Sequence, residues 1–229
     1  MARYINAEES LKEYISLMGD SLGKLFHALW QEVAWLYMKW GEYMTLFGTK
    51  PSRIDLMNKV APHFFRIVQD SLWEDTILHI ARLTDPPQSM GKENLSIQRL
   101  PLLVADENLK QNLKDKIAIA ITSSEFCRDW RNRRIAHKDL KLAIEDGITP
   151  LQPASREAIK KSLSSIADVL NLITLHYQNS TALFDQPGGY GGGEELLYCI
   201  DNGLKFDEGR RARIESGKFT ESDLKSRDI

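Results

Sequence analysis

The run Leu22-Gly23-Lys24-Leu25-Phe26-His27-Ala28-Leu29-Trp30-Gln31-Glu32-Val33-Ala34-Trp35-Leu36 decides the fold. Its apolar positions Leu22, Phe26, Leu29, Val33 and Leu36 continue through Trp40, Tyr43 and Phe47. The spacing alternates four and three, which keeps these side chains on one face of a helix packed along its length. Trp30, Ala34, Tyr37 and Met44 broaden the stripe. An aromatic stripe of this kind reads as core rather than as a platform for stacking bases. Asp20 or Ser21 caps this helix and Gly48 closes it.

The same period recurs on both sides. Residues 7–18 form a short amphipathic helix ended by Gly19. Pro51 and Ser52 start another, bent at Pro62 and ending before Asp85-Pro86-Pro87. Residues 86–105 read as an irregular connection, with Pro86, Pro87 and Pro101 against regular structure. Helical spacing returns through Leu109, Leu113, Ile117 and Ile121 and continues into 127–137. A loop carrying Gly147, Pro150 and Pro153 follows. Ser155 then caps a helix with Ile159, Leu163, Ile166, Leu170, Ile173 and Tyr177 in a row. A short helix over 194–201 and a charged peripheral end beyond Lys205 complete the chain. No strand pattern stands out, so the fold class is all-α: an antiparallel helical bundle with peripheral N- and C-terminal helices. Its core is expected from 21–47, 63–83, 107–137 and 155–178. The bundle is expected to span 1–185. Residues 186–229 are expected to be a glycine-rich connector and a C-terminal helical extension of the same domain. Gly188-Gly189-Tyr190-Gly191-Gly192-Gly193 lacks the Gly-Lys-Ser/Thr ending and preceding strand of a phosphate loop, and reads as connector.

Composition narrows the function. The 229 residues are 42% apolar, enough for a sizeable core. A net charge of −2 argues against a general polyanion binder, so any nucleic-acid contact must come from a local patch. Cys127 and Cys199 show neither metal nor disulfide spacing and read as free thiols of a reducing compartment. No run reaches membrane-spanning length, because Gln31 and Glu32 interrupt the most apolar stretch, and Arg3, Glu8 and Glu9 do not suit a signal peptide. A cytoplasmic protein with no membrane partner is expected.

The local patch is Cys127-Arg128-Asp129-Trp130-Arg131-Asn132-Arg133-Arg134-Ile135-Ala136-His137, at the end of its helix. Six cations (Arg128, Arg131, Arg133, Arg134, Lys138, Lys141) face only Asp129 and Asp139. Crowded like charges suit an anionic partner, phosphate first, and a histidine among them can move protons near neutral pH. On a straight helix Arg133, rather than Arg131, shares a face with His137. Arg131 reaches it only if the helix unwinds near Ala136 or a second subunit supplies one of the two. The alternative is structural, a basic helix end stabilised by the dipole and capped by His137. Upstream, the apolar row Phe64, Val68, Leu72 turns acidic at Asp75. We expect Asp75 to hold the Arg131 guanidinium; a local pair with His79 or Arg82 stays open. His27, His63, His79 and His176 are scattered, and the chain lacks a metalloprotease His pair, a paired Cys-x-x-C, a nucleophile elbow and a two-metal carboxylate cluster. No metal or cofactor is expected.

Arg131-Asn132 followed by His137 resembles the R-x4–6-H motif of the HEPN superfamily. The stretch from Phe65 to Asp75, running on to Leu83-Thr84-Asp85, is similar to the helix that precedes the motif in the abortive-infection, AbiU-type branch. Glu194-Glu195-Leu196-Leu197-Tyr198 and Arg210-Arg211-Ala212-Arg213 are similar to that branch as well. The resemblance covers most of the chain, best between 60 and 215. It implies a HEPN-like bundle and a metal-independent ribonuclease of toxin or phage-defence type, with Arg131, Asn132 and His137 catalytic. Arg128, Arg133, Arg134, Lys138 and Lys141 would bind RNA, and the RNA's own 2′-hydroxyl would be the nucleophile. One histidine per chain is thin for two proton transfers, and the resemblance implies a homodimer whose two motifs share a cleft. An antitoxin partner fits the same resemblance. Some relatives are silenced through a tyrosine just after the motif histidine; Lys138-Asp139-Leu140 offers none. The alternative function is a module that binds nucleotide, RNA or protein without cutting.

Overall fold

The structure is a computed structural model that describes residues 6–144, 149–185 and 191–225. The loop glycine Gly147 and residues 188–190 of the expected connector lie outside the described residues. The chain divides into two compact units, Met1–Gly41 with Ser71–Pro187 and Glu42–Asp70 with Gly188–Ile229.

In the first unit, helix α1 (Ala7–Met18) starts with a capping box in which Asn6 Oδ1 accepts the Glu9 N–H at 2.9 Å. Gly19, at φ 82, turns the chain into α2 (Asp20–Tyr43). Gly23 lets the two helices touch, since a Cβ there would stand 2.6 Å from the Ile15 nitrogen. The expected stripe is the core: Phe26, Leu29, Val33 and Leu36 are fully buried. Burying each stabilises the fold by about 1.5–3 kcal/mol. Helix α4 (Pro62–Leu83) lies antiparallel to α2 here. As α2 rises through Glu32, Lys39 and Trp40, the partners descend through His79, Asp75 and Trp73.

Beyond α4, β1 (Gln88–Ser89) pairs antiparallel with β2 (Lys92–Glu93) through a turn at Met90-Gly91, both at positive φ. This hairpin is a small addition to the expected irregular connection. A short α5 (Leu100–Leu103) leads into α6 (Glu107–Ser123), capped by Asp106, whose carboxylate accepts the Leu109 N–H at 2.7 Å. Helix α9 (Arg156–Gln178), capped by Ser155 as expected, runs antiparallel to α6. Lys116 pairs with Asp168 at one level, and Ser123 Oγ lies 2.8 Å from Ser165 Oγ at the other.

The helix expected over 107–137 is interrupted. Ser124 leaves helical geometry, and α7 (Glu125–Trp130) starts a new segment. Serine pairs favour such kinks because their hydroxyls compete for the backbone. Here the exposed Ser123 carbonyl is satisfied by Ser162 Oγ at 2.6 Å. Helix α7 widens into a π turn, Arg131–Ile135, in which the Ala136 N–H donates to the Arg131 carbonyl at 2.8 Å. A four-residue α8 (Leu140–Ala143), capped by Asp139, follows.

In the second unit, the end of α2 widens into a π turn, Met44–Gly48, so Gly48 does close that helix. Helix α3 (Pro51–Val60) follows, separated from α4 at Ala61, where the bend at Pro62 was expected. The expected short 194–201 helix is instead α10 (Gly193–Glu215), 23 residues long. Gly192 and Gly193 are not slack connector: the Gly193 N–H donates to Glu42 Oε2 at 2.6 Å, and a Cβ on Gly193 would stand 2.8 Å from Leu46. Arg53–Glu194 at 2.5 Å and Lys59–Glu208 at 2.8 Å tie α10 to α3 along its length. Asp223 of α11 (Glu221–Leu224) holds Arg213 near its end. These tethers carry the helix through Gly203 and Gly209, which would otherwise favour a stop. All-α is the architecture found. Among the described residues no helix is long and apolar enough to cross a membrane.

Candidate functional site

Phe126 and Cys127 anchor α7 in the core of the first unit. Burial pushes the Cys127 thiol up to about 12, so at neutral pH it is no thiolate and no nucleophile. The polar side of the same turn faces the end of α4. There the Arg131 Nη1–H donates to Asp85 Oδ2 at 2.5 Å, and its Nε–H donates to Asn132 Oδ1 at 3.0 Å. Arg128 reinforces the junction, donating to the Thr84 carbonyl at 2.7 Å with its Nε 3.7 Å from Asp85 Oδ1. Gln98 donates to that same carbonyl at 2.9 Å, and Ser96 Oγ donates to the Asp85 carbonyl at 2.5 Å. The Asp85 side chain keeps only 19% exposure and Arg131 23%, so this ion pair is screened less than a surface pair.

The carboxylate that fixes Arg131 is therefore Asp85, and the expectation for Asp75 is corrected. Asp75 accepts from Lys39, whose ammonium also lies 3.1 Å from His79 Nδ1. His79 Nε2 is 2.7 Å from Glu32 Oε2 but makes no aligned hydrogen bond with it. Burial first, then the Lys39 charge, lowers His79 to about 4. Lys39 thus already answers the acidic turn of the α4 row, across 36 residues of sequence.

Asp85 carried a readable signal that pointed to no partner. It follows the C-terminus of α4, where the helix dipole is negative and a carboxylate is unfavourable unless cations meet it. Arg128 and Arg131 are those cations.

The other motif cations fall into two groups. The Arg133 guanidinium donates to Asp129 Oδ1 at 3.2 Å and to the Thr149 carbonyl at 2.6 Å, while Asp129 Oδ2 accepts the Gln152 N–H at 2.8 Å. With Trp130 Nε1–H on the Gln152 carbonyl at 2.8 Å, these bonds fasten the strand of chain at 149–152 to α7. Arg128 and Arg133 are thus both occupied within the fold. Arg134 stacks over Trp130 at 5.0 Å and stays half exposed, and Lys138 and Lys141 are exposed. His137 is exposed in the bend after the π turn, and among the described residues no hydrogen bond joins it to Arg131 or Arg133. The helix ends before the turn on which Arg133 and His137 would have shared a face. A groove of about 790 Å³ opens beside the motif, lined in part by Glu74, Arg134, Ile135, Lys138 and Leu142.

The AbiU2 profile of the HEPN group matches residues 19–190, about three quarters of the chain. The chain belongs to the AbiU2 family of HEPN domains. No curated protein and no solved structure matches it significantly. The match spans α2, the Asp85 turn and the whole motif, so the residues gathered around Arg131 lie inside the HEPN domain. Among the described residues no three His, Cys, Asp or Glu side chains converge as ligands to a metal would.

Proposed function

We propose that this HEPN domain is a metal-independent endoribonuclease acting as a toxin or abortive-infection effector. The observation that carries the reading is the fixed guanidinium. Asp85 and Asn132 hold Arg131 by Nη1 and Nε, and among the described residues Nη2 has no partner. That edge can meet a phosphate oxygen in the planar manner of arginine. Exposed His137, six residues on, supplies the proton-transfer group. In the reaction, the RNA 2′-oxygen attacks the adjacent phosphorus as a base takes its proton. The P–O5′ bond breaks, and an acid protonates the leaving 5′-oxygen. The charge on the phosphorane falls to Arg131, with Asn132 positioning it.

Two proton transfers call for two imidazoles, so the proposed active form is a two-fold dimer that brings both His137 side chains to one cleft. An antitoxin protein would act by covering this cleft. Arg134, Lys138 and Lys141 are the proposed RNA-contacting cations; Arg128 and Arg133 support the site from within. The test is cleavage of single-stranded RNA by the purified protein in EDTA. Products with 2′,3′-cyclic phosphate and 5′-hydroxyl ends are expected, with DNA inert. RNA bound but uncut across many substrates would favour a binding module, and DNA cut as readily as RNA would end the 2′-hydroxyl mechanism.

A further inference from the structure

The groove beside the motif has the chemistry of a base-reading pocket. Resting on the ribonuclease reading above, we propose that it selects a guanine base of the RNA strand, with Glu74 as the reader and Arg134 as the stacking plane. One face of the Arg134 guanidinium covers Trp130 at 5.0 Å, and its side chain remains 51% exposed, so the other face is open to the groove. Bases of single-stranded RNA stack on such guanidinium planes. The Glu74 carboxylate lies 3.5 Å from Arg134 Nε, at the edge of that plane, where the edge of a stacked base would arrive. Leu142 and Leu151 give the groove an apolar wall for the ring, and Lys138 stands at its side for the strand's phosphate.

Which base follows from the donors and acceptors. A carboxylate only accepts, with two oxygens side by side. Guanine alone presents two adjacent donors, N1–H and the N2 amine, on its pairing edge. Adenine and cytosine offer one donor beside a ring acceptor, and uracil offers one donor between two carbonyls. The second carboxylate in the groove, Asp139, is occupied by the N–H groups of Lys141 and Leu142 at 3.0 and 3.3 Å. Glu74 has only the long contact to Arg134 recorded among the described residues and is 39% exposed.

The experiment measures binding without cleavage. Wild-type protein is titrated with fluorescent 2′-O-methyl uridine decamers carrying one central guanosine, inosine or adenosine. The guanosine decamer is expected to bind roughly tenfold more tightly than the all-uridine one, with inosine, which lacks the N2 amine, in between. Glu74→Gln is expected to bring these ratios to about one while the all-uridine affinity stays within about twofold, since Glu74 is a surface group whose loss leaves the fold intact. Equal affinities in the wild type, or a guanosine preference that survives Glu74→Gln, overturns the assignment. Binding of GMP with no preference among the decamers would place a free nucleotide in the groove and overturn it too. Equal binding with RNA cleavage intact sinks the base assignment alone. A guanosine preference in a protein that cuts no RNA sustains the pocket and removes the ribonuclease reading.

Discussion

Asp85→Ala takes away the one carboxylate that meets Arg131 and Arg128 together. Arg131 loses a 2.5 Å charge-assisted hydrogen bond, and two guanidiniums of 23% and 27% exposure are left facing each other without a counter-charge. Breaking a fully buried pair costs about 3–5 kcal/mol, and breaking an exposed one about 0–1. This site lies between, so about 2 kcal/mol is expected, near the usual worth of a hydrogen bond to a charge. For a chain of this length that lowers Tm by about 4–8 °C. Catalysis should suffer more, because a guanidinium free to swing by an ångström loses on the order of a hundredfold. Thermal melts and single-turnover cleavage at saturating protein read the two effects. A double-mutant cycle with Arg131→Ala adds the decisive number, a stability coupling of about 1–2 kcal/mol. Additivity within about 0.5 kcal/mol would refute the pairing. So would a Asp75→Ala variant that abolishes cleavage while Asp85→Ala does not, because Asp75 answers to Lys39.

His137→Ala should cost about 10²–10⁴-fold in the cleavage step with RNA affinity little changed; unaltered single-turnover rates would exclude it as the proton-transfer group. Arg133→Ala should lower Tm, because it unfastens the Thr149 carbonyl and leaves Asp129 without its cation, and should leave the salt dependence of RNA binding alone. Lys138→Ala and Lys141→Ala should do the reverse, each flattening the slope of log affinity against log salt by about 0.7. The opposite pattern would return Arg133 to the RNA surface. Stability should fall as pH drops from about 6.5 to about 4. His79 takes its proton near 6.5 when unfolded and only near 4 when buried, so between those values the unfolded chain binds more protons. The contribution is complete above 6.5 and amounts to about 3 kcal/mol at most. Lys39, Arg82, Glu32 and Asp75 all act on that ring. A His79→Gln variant whose stability falls as steeply over this range as the wild type's would show that other groups carry the slope.

What could be read in advance was what repeats within a helix. The α2 stripe, the Ser155 cap and the closing role of Gly48 are written in spacings of three and four and in local backbone chemistry, and all were found in place. The break at Ser124 was written there too, as a serine pair, but the apolar period runs straight through it and hid it. The length of α10 was misread for a physical reason. Asn202-Gly203 is a stop signal, and it is overridden by Glu42, Arg53 and Lys59, which are distant in sequence. Pairings across 36 or 46 residues leave no periodic trace, so neither Lys39–Asp75 nor Arg131–Asp85 could be chosen from pattern alone.

The π turn explains why Arg131 rather than Arg133 is the cation free to act, although a straight helix argues the reverse. An extra residue in the turn rotates everything after Arg131 by about 100° relative to a straight helix. Arg133 then lies over Asp129 and the Thr149 carbonyl, where both its donors are consumed. Arg131 stays before the widening, still in register with α7, and therefore still faces the end of α4 and Asp85. The Asp139 N–H, bonded to the Arg133 carbonyl at 3.0 Å, closes the wide turn and leaves His137 outside the hydrogen-bonded helix and exposed. The irregular turn thus sorts a run of similar cations. One is held by a carboxylate at the junction with α4, another is spent on fastening the loop, and the histidine is presented to whatever enters from outside. A regular helix would have set Arg133 beside His137 and left the loop at 149–152 without its clasp.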